Sequence, residues 1–177
     1  MFGTVIKGRH DDCARAVYLT VAKNIGLLTD EVRWWHRQAV QGVLENEKWK
    51  MLWDHPFKTD RMLKYARPDI VIENKETQEG WIVEIGVCLD TNLQSKMAEK
   101  SSKYIPLAIE LSKLRGWRHW KIVAVVVGTS GSIPVQFTSE LCKLPLTTPL
   151  QAKRLLADVQ HATIYSAVNI MRNVSNV

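Results

Sequence analysis

Two runs of Ile and Val, each carrying one acid in apolar surroundings, constrain this chain more than any other feature. The first reads Ala66-Arg67-Pro68-Asp69-Ile70-Val71-Ile72 and the second Trp81-Ile82-Val83-Glu84-Ile85-Gly86-Val87. β-Branched residues at this density favour strands, here about Pro68 to Glu73 and Trp81 to Cys88, and Asn74, Glu76, Gln78 and Gly80 supply the hairpin-like loop between them. Pro68 has no N–H to donate, so it fits only where a strand begins, which sets Asp69 at the strand's mouth. Alternation along the second run puts Ile82, Glu84 and Gly86 on one face and Val83, Ile85 and Val87 on the other. Glu84 is thereby placed on the side where Gly86 leaves room for a ligand. A carboxylate in such surroundings is costly unless it is paired or holds a metal.

Lys96, Lys100 and Lys103 follow at helical spacing and share one face. Two acids and a lysine are the components of metal-assisted phosphodiester cleavage: hard oxygen ligands for Mg²⁺, and a cation that orients water or stabilises developing negative charge. The helical pattern runs from about Thr91 to Arg115, and Pro106 within it either kinks the helix or begins a second segment. The lysines continue in phase with Leu107, Leu111 and Leu114, the stripe expected to pack on the sheet, whereas a solvated charge run lies more often on the opposite face. Lys100 is the first candidate for a catalytic lysine and Lys103 the second. Tyr104 either hydrogen-bonds a phosphate or packs.

Arg67-Pro68-Asp69, then Glu84, then Lys100-x-x-Lys103-Tyr104 resembles the restriction-like endonuclease domain of site-specific non-LTR retrotransposons, a branch of the PD-(D/E)xK nuclease superfamily. Arg9-His10-Asp11 is similar to that family's Arg-His-Asp triplet, and Val125 to Pro134 resembles its strand-then-glycine segment, so the resemblance spans about Arg9 to Pro134. The order and spacing of the motifs together make it specific. It implies an α/β, three-layer restriction-endonuclease-like fold with a mixed central sheet and an αβββαβ core. It also implies that residues 1–177 form a single domain, the C-terminal part of a longer polyprotein. The implied activity is Mg²⁺-dependent DNA endonuclease, with Mn²⁺ as a substitute, nicking target DNA so that its 3′ end primes reverse transcription in the nucleus. RNA becomes a partner through the parent polyprotein. Asp69 and Glu84 would bind the metal with the Ile85 carbonyl, Lys100 and Lys103 would be catalytic, and His10, Asp90 and Tyr104 would support them. One departure stands out: the superfamily's usual lysine, two residues after the second acid, is replaced by Gly86, and the branch takes its lysine from the following helix.

The bulk numbers agree with a globular domain that has a polyanionic partner. A chain of 177 residues with 46% hydrophobic and 24% charged residues supports one well-cored domain. A net charge of +6 and a pI near 9.3 suit nucleic acid without requiring it. Cys13, Cys88 and Cys142 lie far apart in apolar surroundings, which favours buried, reduced thiols of an intracellular protein over a disulfide framework or zinc site. Neither a signal peptide nor a membrane span is evident.

Elsewhere, Cys13, Val17, Val21 and Ile25 mark an amphipathic helix from His10 that Gly26 stops, with Asp11 and Asp12 in its first turn. Thr29-Asp30-Glu31 reads as a cap for the segment carrying Val32, Trp35, Val40 and Val43, and Trp49 to Phe57 as the sheet's first strand. Trp34, Trp35, Trp49 and Trp53 either stack on unpaired bases or, as tryptophans more often do, fill the core. Arg115, Arg118 and Lys121, interleaved with Trp117 and Trp120, read as a DNA-backbone surface to which Arg67 and Lys96 add, or as a solvated loop. The apolar strand Ile122 to Val127 is expected to be central. The turn Gly128-Thr129-Ser130-Gly131 would offer free N–H groups to a phosphate. Asp90 reads equally as a site residue or as the cap of the helix beginning near Thr91. Leu150 to Met171 forms a helix covering the sheet's other side. Three rival readings stay open: a junction-resolving nuclease of the same superfamily, a catalytically silent nucleic-acid-binding module, and a structural domain whose acids merely pair with nearby cations.

Overall fold

The computed structural model describes residues 2–29, 32–35 and 39–174, with side chains described over 8–29, 32–35 and 39–169. Its elements are α1 (Phe2–Asn24), β1 (Val43–Glu45), β2 (Trp49–Trp53), β3 (Ile70–Asn74), β4 (Glu79–Cys88), α2 (Leu93–Lys103), α3 (Ile105–Arg115), β5 (His119–Gly128), α4 (Phe137–Leu141) and α5 (Pro149–Val174). A single 3-10 turn, Asp90–Asn92, leads from β4 into α2. The protein is mixed α/β. Its five strands lie in the order β1-β2-β3-β4-β5, antiparallel except for the parallel pair β4–β5.

Asparagines set the two hairpin turns that build the antiparallel part. Asn46 Oδ1 accepts from the N–H groups of Lys48 and Trp49 at 3.0 and 2.7 Å, and Asn74 Oδ1 accepts from those of Glu76 and Thr77 at 3.0 and 3.1 Å. Register follows from these turns: Ile70 faces Val83, so the same ladder continued by one residue sets Asp69 opposite Glu84. Alternation then sorts the side chains as expected. Val83, Ile85, Val123, Val125 and Val127 join α1, α4 and α5 in the larger core. Ile82 packs with Tyr104, Leu107 and Leu111, while Ala124 and Val126 pack with Met97, so α2 and α3 cover the opposite face. Each Val or Leu fully buried this way contributes roughly 1.5–3 kcal/mol.

Several expectations are corrected. Helix α1 begins at Phe2, so Asp11 and Asp12 sit well inside it and cap nothing; Asp12 instead accepts from Ser166 Oγ at 3.0 Å. Gly26, with φ of +75°, does close that helix. Pro106 begins a second segment: α2 ends at Lys103, and Pro106 lies in the first turn of α3, where its missing N–H leaves no bond unmade. Strand β5 is an edge strand in the sheet order, and it is apolar because helices bury both its faces. A short additional strand, β1, is inserted between α1 and the three strands of the expected αβββαβ series. Leu114 is exposed because the pattern restarts at α3. Of the cysteines only Cys13 is buried; Cys88 is intermediate and Cys142 exposed.

Trp34 and Trp49 are buried and Trp53 packs edge-on against Tyr18, so three of the four clustered tryptophans serve the core, while Trp35 is half exposed. Asp30 and Glu31, the expected cap, lie outside the described residues. In α5 the stripe Leu155, Val159, Ala162 and Ser166 is buried, Tyr165 is exposed, and the Ile170 side chain lies outside the described set. No helix among the described residues is long and apolar enough to cross a membrane.

Candidate functional site

Asp69, Glu84, Ile85, Lys100, Lys103 and His10 come together at one end of the β3–β4 pair, although four separate elements supply them. Asp69 stands just before β3, where Asp54 N–H donates to its carbonyl at 2.8 Å. Strand β3 starts only at Ile70, so β4 beyond Glu84 lacks a strand partner on that edge, and the Ile85 N–H donates instead to Asp69 Oδ2 at 2.7 Å. In an extended strand a residue's N–H and C=O lie along the same edge, so the Ile85 carbonyl faces the same gap. From α1, His10 Nε2 lies 3.2 Å from Asp69 Oδ2, while its Nδ1 lies 3.2 Å from Asp11 Oδ1. Burial pulls the His10 imidazole down, but the Asp69 and Asp11 carboxylates outweigh it and raise it to about 9. Asp69 moves the opposite way. Burial alone would raise it, yet the His10 hydrogen bond and charge, the Ile85 N–H and the Lys100 charge hold it below the usual carboxylate range.

Glu84 is 2% exposed. Lys100 Nζ and Lys103 Nζ both donate to its Oε1, at 2.5 and 2.6 Å, and Oε2 is buried with no partner. An orphaned carboxylate oxygen inside a protein is costly, and an ordered water or a cation is what ordinarily answers it. Lys103 Nζ also stands 4.9 Å from the Tyr65 ring centre and 4.8 Å from that of Tyr104, a cation–π cradle that fixes its position. Tyr104 packs rather than presenting a hydroxyl: it is 2% exposed and its OH donates to the Arg67 carbonyl at 2.7 Å. Burial and the nearby Glu84 and Asp69 carboxylates push its phenol upward. Its role is to hold the chain just ahead of Asp69. A cleft of about 510 Å³ opens beside these groups, lined by His10, Asp11, Trp53, Asp54, Arg67 and Asp69.

Other sequence candidates do not converge. Lys96 pairs with Glu99 at 2.7 Å rather than with Glu84. Arg67 pairs with Asp54 at 2.7 Å on the cleft rim. Arg115 donates to buried Glu73 at 3.0 Å and Lys121 to Glu79 at 3.2 Å, while Arg118 precedes β5, whose first residue aligns with Glu79. These three therefore lie toward the other end of β4, roughly five residues or ~16 Å from Glu84. Asp90 caps no helix. It accepts from Ser130 Oγ and, at 3.4 Å, from Ser130 N–H, which ties the turn after β5 to the start of α2. That turn has no N–H to spare for phosphate, because Gly128 donates to Ser132 O, Thr129 to Cys88 O and Gly131 to Gly128 O.

The donor set fits a hard divalent ion. Two carboxylates and a main-chain carbonyl are all oxygen, and one carboxylate oxygen is buried and unpartnered. No group of three or more His, Cys, Asp or Glu placed to hold a metal occurs among the described residues. An all-oxygen set of this kind suits Mg²⁺, which characteristically takes one or two carboxylates and keeps several waters, better than a soft ion. Compared with protein-family models and with curated proteins, the chain matches none of either.

Proposed function

We propose that the protein is a Mg²⁺-dependent DNA endonuclease with the restriction-endonuclease-like fold, of the kind its motifs resemble in non-LTR retrotransposons. One observation carries the reading: two lysines from α2 converge on one oxygen of Glu84, the residue the ladder sets opposite Asp69, while its other oxygen is buried without a partner. Helices on both faces of a mixed sheet, in the order α1, β2, β3, β4, α2, β5, support the fold assignment. Asp69, Glu84 and the Ile85 carbonyl would hold Mg²⁺ or Mn²⁺, and the bound ion supplies charge neutralisation at the scissile phosphate and an activated water. Lys100 and Lys103 present their ammonium groups where negative charge develops during phosphoryl transfer. His10 and the Ile85 N–H orient Asp69, and Tyr104 fixes the backbone that carries it. Action in the nucleus on target DNA, with RNA reached through a parent polyprotein, belongs to the same proposal.

A second reading has its own observation in favour. Ion pairs already neutralise both acids, as in a silent nucleic-acid-binding module. Nicking of supercoiled plasmid separates the two: the endonuclease relaxes it in Mg²⁺ and not in EDTA, and Asp69→Ala abolishes the activity while leaving the fold intact. Equal nicking by wild type and Asp69→Ala refutes the site. DNA binding without cleavage in Mg²⁺ or Mn²⁺ supports the silent module.

A further inference from the structure

Residues 54–69, which join β2 to β3, form a closed loop rather than a slack connection. Asp54 N–H donates to Asp69 O at 2.8 Å and Phe57 N–H donates to Ala66 O at 2.7 Å, so the two limbs are tied at the base. Phe57 and Leu63 anchor the loop on the cluster of Ile82, Tyr104, Leu107 and Leu111. Pro68 is buried and Thr59, Ala66 and Asp69 are partly so, while Lys58, Asp60, Arg61, Met62 and Lys64 are exposed. Lys58, Arg61 and Lys64 recur every third residue, all exposed, and none meets a carboxylate among the described residues. Between them Met62 is fully exposed, at 102%, whereas Met51 and Met97 are buried. Met62 is the most exposed of the large apolar residues described, and it stands among Lys58, Asp60, Arg61 and Lys64. A single methionine is too little apolar surface to hold a folded protein partner. The loop adjoins the acids: Asp69 ends it, and the Tyr65 ring faces Lys103 Nζ at 4.9 Å.

We propose that this loop grips duplex DNA beside the acid pair, with Lys58, Arg61 and Lys64 on backbone phosphates and Met62 wedged between base steps from the minor groove. Phosphate contacts supply affinity and register, and apolar wedges, methionine among them, unstack a step and bend the duplex. The inference rests on the reading of Asp69 and Glu84 as a DNA-cleaving site. It adds what that site lacks, a means of holding and deforming its substrate.

The test is anisotropy of a short labelled duplex in Ca²⁺ over a salt series, with plasmid nicking in Mg²⁺ run alongside. Lys58→Ala/Arg61→Ala/Lys64→Ala is expected to weaken binding at least tenfold and to shallow the log Kd against log salt slope by about 2–3, since each lost phosphate contact removes about 0.9. Met62→Ala is expected to keep the slope but to lose the rise in 2-aminopurine fluorescence that wild type induces at the wedged step. Wild-type affinity and slope in the triple variant overturn the phosphate grip, and no fluorescence rise with wild type overturns the wedge. If wild type nicks while the triple variant binds normally, the loop inference fails and the nuclease reading stands. If the variant loses binding while wild type never nicks, the reverse holds. No duplex binding by wild type overturns both.

Discussion

The stem of Lys100 lies across Gly86: a Cβ built on the glycine would stand 3.5 Å from Lys100 Cε, and the same lysine reaches Glu84 Oε1 at 2.5 Å. A lysine from the helix thus stands over the strand position two residues after Glu84, and a Cβ on Gly86 would touch its stem only at ordinary van der Waals distance. Lys100→Ala is expected to cut nicking by about 10²–10³, the range for removing one preorganised charge stabiliser. Gly86→Lys in that background is expected to restore at least about tenfold of the loss. The new Cβ meets Val126 Cγ2 at 3.3 Å, a contact that a small side-chain shift relieves. Single-turnover nicking rates of the single and double variants check this.

Arg115 belongs to the fold rather than to a DNA surface. Glu73 is 3% exposed, so Arg115→Ala strands a buried carboxylate. Because the Arg115 side chain is itself 40% exposed, the expected cost is about 2–3 kcal/mol, below that of a fully enclosed pair. Urea unfolding should register that loss, and DNA affinity measured on the folded variant should barely change.

Gly80 sits under Trp120, and a Cβ there would come within 2.3 Å of the indole ring. The two residues are register partners on β4 and β5, so a methyl at 80 meets the indole directly and the ring must turn to another rotamer to clear it. Gly80→Ala is expected to destabilise by about 1–3 kcal/mol, the usual cost of overpacking. A thermal melt reads it directly.

The His10–Asp69 pair gives the metal-free protein a pH-dependent stability. His10 is raised from 6.5 to about 9, so its contribution is complete below about 6.5 and lost as pH rises through about 9. Asp69 is lowered from 3.8, so its contribution is present above that value and lost as pH falls through the depressed one. In EDTA, His10→Gln is expected to cost on the order of 1–2 kcal/mol near neutral pH, allowing for partial exposure, and much less above about pH 9.5. Chemical denaturation across pH, wild type against variant, measures the difference.

The acid pair was legible in the sequence because two Ile- and Val-rich runs each carry a single acid, and Pro68 fixes where Asp69 must stand. Helical spacing places Lys100 and Lys103 in phase with Leu107, Leu111 and Leu114; the structure buries Leu107 and Leu111 but begins a new helix at Ile105 and leaves Leu114 exposed. Other features depend on partners distant in the chain. Nothing local tells that Arg115 answers Glu73, 42 residues earlier, or that Asp90 claims the Ser130 N–H. Strand β1 is three residues long with only Leu44 buried, too short to show a period. The apolar run of β5 fits a central strand and an edge strand covered by helices equally well, and only the pairing decides. The 54–69 loop carries no hydrophobic period from which an element could be read, although its spaced cations Lys58, Arg61 and Lys64 were there to be seen.

The central claim is that Asp69 and Glu84 share a divalent ion, and isothermal calorimetry of Mn²⁺ into the DNA-free protein addresses it most directly. The account expects one saturable site per chain in wild type, lost in Glu84→Ala and in Asp69→Ala while both variants stay folded. Absence of binding in wild type, or equal binding by the Glu84→Ala variant, would contradict it.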